Sequence, residues 1–379
     1  MRFAKFSGLM LRAISSLLNN SILRGVTRDG LLAMDPERAH KATLLALKAG
    51  LVPKSEHSDP HELRINLAGL ELSNPVGMAA GFDKNAEVHG PLGEIGFGLA
   101  EVGTITPHPQ QGNPKPRLFR LMQANGVINR MGFNNEGHDA AYKRLVKNRS
   151  KAMVGVNIGA NKASDDFVAD YVLGVQRFAE IADYLTINIS SPNTPGLRGL
   201  QSPDQLKRLL GECLNTRNKQ SIRVPMFLKI APDLDEKALD DIAIIITKTD
   251  LEGLIVSNTT LSREGVEGLH HAEEAGGLSG APLFDLSTIR LAQMRQRVGP
   301  DLAIIGVGGI HSARSALAKI EAGANAIQLY TALVFGGMEL LDEIKTGLSR
   351  AVRRAEKKSI SELVGSKVDQ WAAREIPKG

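Results

Sequence analysis

The feature that most constrains this chain is a repeat of pattern, not of residues. From residue 65 onward, short apolar, β-rich runs lead into Gly, Asn, Ser, Thr or Lys, and each is followed by an amphipathic stretch. The runs are Pro75–Ala80, Gly98–Gly103, Met153–Ile158, Tyr184–Ile189, Met226–Ile230, Gly253–Ser257, Ala303–Val307 and Ala326–Tyr330. Uninterrupted apolar runs suit parallel strands buried on both faces. Eight of them alternating with helices predict an α/β fold, a (β/α)8 TIM barrel. A doubly wound open sheet is the alternative, but its GxGxxG fingerprint after the first strand is missing.

The chain's 379 residues fit one such barrel with additions. At 42% hydrophobic and 23% charged residues it is neither disordered, collagen-like nor a coiled coil. The single cysteine, Cys213, excludes an intramolecular disulfide and any metal site built from several cysteines. Aromatics at 4% argue against a stacking platform for single-stranded nucleic acid. The net charge of +5 is uneven: Met1–Ser55 carries +6 and the remainder −1. A basic, apolar N-terminus on a near-neutral body points to an anionic membrane surface, not to nucleic acid.

In that N-terminal segment Phe3, Phe6, Met10, Ile14 and Leu17 recur at helical spacing. A second helix is signalled by Asp35 as N-cap, Pro36 at its first position, a run to Lys48 and Gly50 as stop, with Leu44, Leu45 and Leu47 on its apolar side. No apolar run reaches the ~20 residues needed to span a bilayer. Three readings stay open: helices lying on a membrane, helices packed on the body, or a targeting peptide in the first stretch. The expected division is an N-terminal segment 1–55, a barrel 56–358 and a tail 359–379.

Two stretches exceed the minimal repeat, Thr106–Ser150 and Thr259–Phe284, and insertions of this kind form walls or lids of barrel active sites. The residues just past the strand ends are rich in amides and hydroxyls and include two lysines. They offer no His/Glu cluster, so no metal is expected, and no catalytic carboxylate pair. Gly306-Val307-Gly308-Gly309 with Tyr330-Thr331 suits a phosphate cradle or simply a tight turn. Lys229, ending an apolar strand, is either a structural ion pair or a cation for an anionic ligand or reduced cofactor. Lys84 either pairs with Asp83 or serves a ligand. Ser191 has no Ser-His-Asp setting and reads locally as a turn serine. His270-His271 with Glu273-Glu274 has the wrong spacing for zinc and reads as a solvated loop.

Seven stretches in one order resemble the dihydroorotate dehydrogenase family, in particular its class 2, membrane-associated, quinone-dependent branch. They are Asn74 through Lys84, Gly112 through Arg117, Asn129 through Asn134, Asn188 through Gly196, Ser257 through Thr260, Gly276 through Gly280 and Ile305 through Ile310. The resemblance implies an FMN-bearing barrel that oxidises (S)-dihydroorotate to orotate in pyrimidine synthesis. By motif match, FMN would be held by Ala80, Gly81, Lys84, Thr104, Asn157, Asn188, Lys229, Ser257, Gly280, Gly309, Tyr330 and Thr331. Orotate would be held by Lys84, Asn129, Arg130, Met131, Gly132, Phe133, Asn188, Asn193, Asn258 and Thr259. Ser191 would be the base at C5, helped by Thr194, a water and Phe133, while C6 passes a hydride to flavin N5. Lys229 would balance charge on the reduced flavin.

Class 1 members carry cysteine at the position of Ser191, so the serine and the basic N-terminus both indicate class 2. His40 and Arg120 would then line a quinone tunnel for ubiquinone or menaquinone. The implied setting is peripheral attachment to the cytoplasmic face of a bacterial inner membrane, or to a mitochondrial inner membrane, and a monomer is expected. Met1–Asp29 is longer than in the shortest members, and Ser359–Gly379 extends past the usual end. Four other readings are carried forward: a soluble class 1-like enzyme, a non-redox phosphate-binding barrel enzyme, a membrane-binding protein on an inactive barrel, and a tRNA-directed flavoenzyme. The last is disfavoured by the near-neutral body.

Overall fold

The computed structural model describes residues 28–51, 58–148 and 150–377. The stretch from Phe3 to Leu17 lies outside the described residues. The barrel strands are β1 (Val76–Asp83), β2 (Leu99–Ile105), β3 (Met153–Ile158), β4 (Tyr184–Asn188), β5 (Met226–Ile230), β6 (Gly253–Val256), β7 (Ala303–Val307) and β8 (Ala326–Leu329). They pair in parallel in chain order, and β8 closes on β1. Each predicted run is therefore a barrel strand, with ends displaced by a few residues. Both faces are buried, as the unbroken apolar runs require.

The barrel interior is filled by pairing glycines with large side chains on a neighbouring strand. A β-carbon on Gly155 of β3 would lie 2.0 Å from the ring of Tyr184 on β4, and one on Gly253 would lie 2.4 Å from the ring of Phe227 on β5. Those two rings meet edge to face at 5.4 Å. Gly155→Ala is therefore expected to destabilise the protein by ~1–3 kcal/mol through overpacking. Urea denaturation of both proteins would read this, and an unchanged midpoint would contradict it.

The two insertions meet. Leu118–Leu121 and Gly126–Asn129, from the first, form an antiparallel three-stranded sheet with Gly277–Gly280, from the second. The loop before Gly277 is gathered by Arg263, whose guanidinium donates to the carbonyls of Ala272, Glu274 and Gly276 at 2.8–2.9 Å.

The helix Pro36–Lys48 begins as expected, with the Asp35 carboxylate accepting from the Arg38 N–H at 2.9 Å. It is packed on the body. Arg117 grips Glu37 at 2.8 Å, and Arg120 donates to the carbonyls of Leu31, Leu32 and Met34 at 2.7–3.2 Å. Leu47 is buried and Leu44 half-buried, but Leu45 is 65% exposed. Residues three apart share a helix face, whereas Leu45 is turned ~100° from Leu44. No described helix is long and apolar enough to cross a membrane.

The segment after residue 358 packs on the barrel. Ile360, Leu363 and Trp371 are buried, and the Trp371 ring meets Phe284 edge-on at 5.8 Å.

Candidate active site

A cavity of about 1190 Å³ opens at the C-terminal ends of the strands, beneath the three-stranded sheet and the helix Pro36–Lys48. Ala80, Gly81, Lys84, Thr104, Asn188, Lys229, Ser257, Gly280, Gly309, Tyr330 and Thr331 line it. So do Ser191, Asn129, Met131, Gly132, Phe133, Asn193, Asn258 and Thr259. His40 and Arg120 line the same cavity. Two expected residues do not reach it. The Arg130 side chain turns outward, paired with Glu274 at 2.7 Å and stacked over Phe119. Asn157 sits fully buried behind the wall, bonded to Thr104 at 2.5 Å and to Asn188 at 3.2 Å.

The loop after β4 carries Ser191 and is pinned from three sides. Ser190 Oγ donates to Asn188 Oδ1 at 2.7 Å and accepts from Asn258 Nδ2 at 2.9 Å. Arg198 Nε donates to the Ser190 carbonyl at 3.1 Å, and Asn193 Nδ2 donates to the Asn129 carbonyl at 3.2 Å. Ser191 is 5% exposed, and its Oγ accepts from the Asn193 N–H at 3.2 Å. Nearby, Thr194 Oγ1 is buried with no hydrogen-bond partner, an orphan polar atom that a water or ligand would satisfy.

Phe133 holds a left-handed backbone, φ +53°, unusual for a bulky residue. Its carbonyl accepts from Asn135 Nδ2 at 2.7 Å and Gln110 Nε2 at 3.2 Å, so the surroundings dictate the conformation.

Charge in the cavity is mostly positive. Lys84 does not pair with Asp83, whose carboxylate instead accepts from the N–H groups of Glu87 and Val88 at 2.7 and 2.8 Å. The Lys84 ammonium donates to the Gly81 carbonyl at 2.6 Å. Enclosure in the protein pulls its pKa down to about 8, against the opposing field of Glu37. Burial also lowers Lys229, opposed by Glu101, and no described residue accepts a hydrogen bond from its Nζ. His40 is driven down to about 3 by burial and then by Lys84, so its imidazole is neutral. Its ring packs against Phe82 at 5.4 Å and Tyr330 at 6.2 Å.

The turn after β7 needs glycine. Gly308 and Gly309 have φ of +107° and +72°, and a β-carbon on Gly309 would overlap the Phe284 backbone. Glu101, Tyr184 and Gln328 form a polar floor under the cavity that strand-end position does not mark. A carboxylate in the middle of an apolar strand was the available signal at Glu101. His271 packs on the Phe119 ring at 5.1 Å, and no group of described residues could hold a metal ion.

The profile of one protein family, dihydroorotate dehydrogenase, matches residues 62–352. The chain belongs to the dihydroorotate dehydrogenase family. It is 54% identical to the dihydroorotate dehydrogenase (quinone) of Rhizobium johnstonii over 355 residues, 93% of this chain and 98% of that one. It is equally identical to that of Brucella anthropi over 354 residues, 92% of this chain and 97% of the other. Among solved structures, Eimeria tenella DHODH in complex with ferulenol superposes with a TM-score of 0.84 at 39% identity, covering 87% of this chain and 95% of that one. The ligand-free form gives 0.85 at 39%, covering 88% and 99%. Within the dihydroorotate dehydrogenase family, Ser191 and both bacterial relatives agree on the quinone class. The lone Cys213 is buried in the helix Pro203–Asn218, away from the loop that carries Ser191.

Proposed function

We propose that this chain oxidises (S)-dihydroorotate to orotate in de novo pyrimidine (UMP) synthesis, with FMN as cofactor and a membrane quinone as final acceptor. One observation carries this reading. A single cavity holds Ser191 and its ring of amides and also runs to His40 and Arg120 under the N-terminal helix.

The residues present suit FMN. The turn at Gly308 and Gly309, with Tyr330 and Thr331, gives a backbone cradle where barrels hold phosphate. The unpartnered Lys229 ammonium suits a group that becomes anionic on reduction. When bound, FMN would supply the hydride acceptor for C6 and the two-electron carrier between substrate and quinone.

The chain's own residues do the rest. Asn129, Asn193, Asn258 and Thr259 present amides and a hydroxyl to a flat ring edged with carbonyls and N–H groups. Lys84 meets the substrate carboxylate. Ser191 Oγ takes the proton at C5 as its own hydroxyl proton passes toward Thr194, and the Asn193 N–H supports the negative charge that oxygen carries in the exchange. The proton leaves past Thr194 Oγ1, whose unfilled hydrogen-bonding capacity suits a bridging water. Phe133 shields the reacting face.

His40, Arg120 and Tyr330 receive the head group of ubiquinone or menaquinone at the other end. Residues 28–51 give the quinone access. Exposed Met34, Leu45 and Met122 add apolar contact with the bilayer. The protein works as a monomer on the cytoplasmic face of a bacterial inner membrane, a reading supported by the bacterial source of its near relatives.

Orotate formation should be followed with a ubiquinone analogue, a menaquinone analogue, fumarate or NAD as acceptor. Turnover with a quinone and little with fumarate or NAD is expected. Preference for fumarate or NAD would move the protein to class 1 and leave the N-terminal helix with a structural role only.

A further inference from the structure

Glu101 is a carboxylate with no exposed surface, set in the middle of β2 and outside every site assigned above. Its surroundings are built for an ionised acceptor. Oε1 accepts from Asn157 Nδ2 at 2.6 Å, and Oε2 accepts from Gln328 Nε2 at 2.8 Å and the Tyr184 hydroxyl at 3.1 Å. Burying a carboxylate this deeply is costly unless it is paired and hydrogen-bonded.

Two consequences reach the cavity. The first is direction. An ionised carboxylate can only accept, so Asn157 must offer it Nδ2 and turn Oδ1 toward the cavity. That oxygen accepts from Thr104 Oγ1 at 2.5 Å and Asn188 Nδ2 at 3.2 Å. Asn188 Oδ1 then accepts from Ser190 Oγ, which accepts from Asn258 Nδ2. Every donor from the barrel floor to the residue beside Ser191 is thus oriented by one charge. The second is charge balance. Lys229 is buried with no accepting partner among the described residues, and among them Glu101 is the one charged group that acts on it. The titratable neighbour on β4, Tyr184, stays protonated, and Gln328 on β8 is neutral.

We propose that Glu101 is a positioning residue, whose buried carboxylate keeps Lys229 a cation and sets the hydrogen-bond direction through Asn157, Asn188 and Ser190 to Asn258. This rests on the flavoenzyme reading above. In the wild type Lys229 is charged before and after flavin reduction and exchanges no proton. In Glu101→Gln, which keeps the shape, Lys229 is neutral in the oxidised protein. It takes one proton from solvent for every two electrons delivered, as negative charge builds beside it.

The test is the reduction potential of the FMN holoenzyme against pH. Glu101→Gln should show a slope steeper than wild type by one proton per two electrons. That is a tenfold change in the equilibrium constant per pH unit, or ~30 mV. Glu101→Asp should restore the wild-type slope. Orotate affinity in Glu101→Gln should fall about tenfold, the loss of roughly one oriented hydrogen bond. Parallel slopes in wild type and Glu101→Gln would overturn the proposal. Should Glu101→Gln fail to fold, Lys229→Met carries the test. Its slope should run parallel to wild type, and a shallower slope would show that Lys229 exchanges a proton even with Glu101 present. A wild-type protein that binds no FMN would overturn the underlying reading as well, whereas parallel slopes with FMN bound overturn the inference alone.

Discussion

Ser191→Ala is expected to lower kcat for dihydroorotate oxidation ~10²–10⁴-fold, the usual contribution of a positioned base. Bound FMN should be retained, because the hydroxyl's one hydrogen bond among the described residues is from the Asn193 N–H within its own loop. The loop is pinned through Ser190, the Asn193 side chain and Arg198, and the substitution removes none of those bonds. The geometry should therefore survive while the proton acceptor is lost. Rapid-reaction absorbance of the flavin checks this directly, since the reductive half-reaction alone should slow. An equal fall in FMN content would instead mean that Ser191 is structural.

Lys84→Met is expected to raise the KM for dihydroorotate ~10²-fold or more, the usual cost of removing one partner of a buried charge pair. The pH dependence gives an independent check. Burial lowers the Lys84 pKa to about 8, so the ammonium is charged below that pH and is lost as pH rises through it. An anionic substrate binds the charged form, so kcat/KM, which reports the free enzyme, should fall above pH 8 by up to ~10-fold per unit. The bound carboxylate holds the proton on Lys84, so kcat should fall much less. In Lys84→Met the alkaline limb of kcat/KM should be absent. The same limb persisting in Lys84→Met would assign it to another group.

The barrel was legible because all eight strands are buried on both faces. Each therefore reads as a mostly apolar run, and local pattern and final architecture agree. The helix Pro36–Lys48 was equally plain, since Asp35 and Pro36 mark its start by local chemistry. What it packs against was not plain, because the contacts that decide it join Glu37 to Arg117 and Leu31–Met34 to Arg120, 80 or more residues apart. For the same reason, the pairing of the two insertions into one sheet is absent from either stretch alone.

The site divides similarly. Strand-end position marked Lys229, Asn188 and Gly309 as facing a ligand, but the role of Ser191 came only through family resemblance. Nothing local separates it from a turn serine. Arg130 belongs to the same motif as Met131 and Phe133, yet its side chain leaves the cavity for Glu274, a residue of the other insertion. Glu101 escaped notice because strand patterning treats one carboxylate in a buried run as an interruption. Its meaning depends on Asn157, Tyr184 and Gln328 converging from three other strands.

The most direct test of the central claim is anaerobic absorbance of the purified, FMN-loaded protein during titration with (S)-dihydroorotate. The oxidised flavin band should bleach with one equivalent of orotate formed per flavin, and a quinone analogue should restore it. A bound flavin that dihydroorotate does not bleach would contradict the substrate assignment, and a protein that cannot be loaded with FMN would contradict the account as a whole.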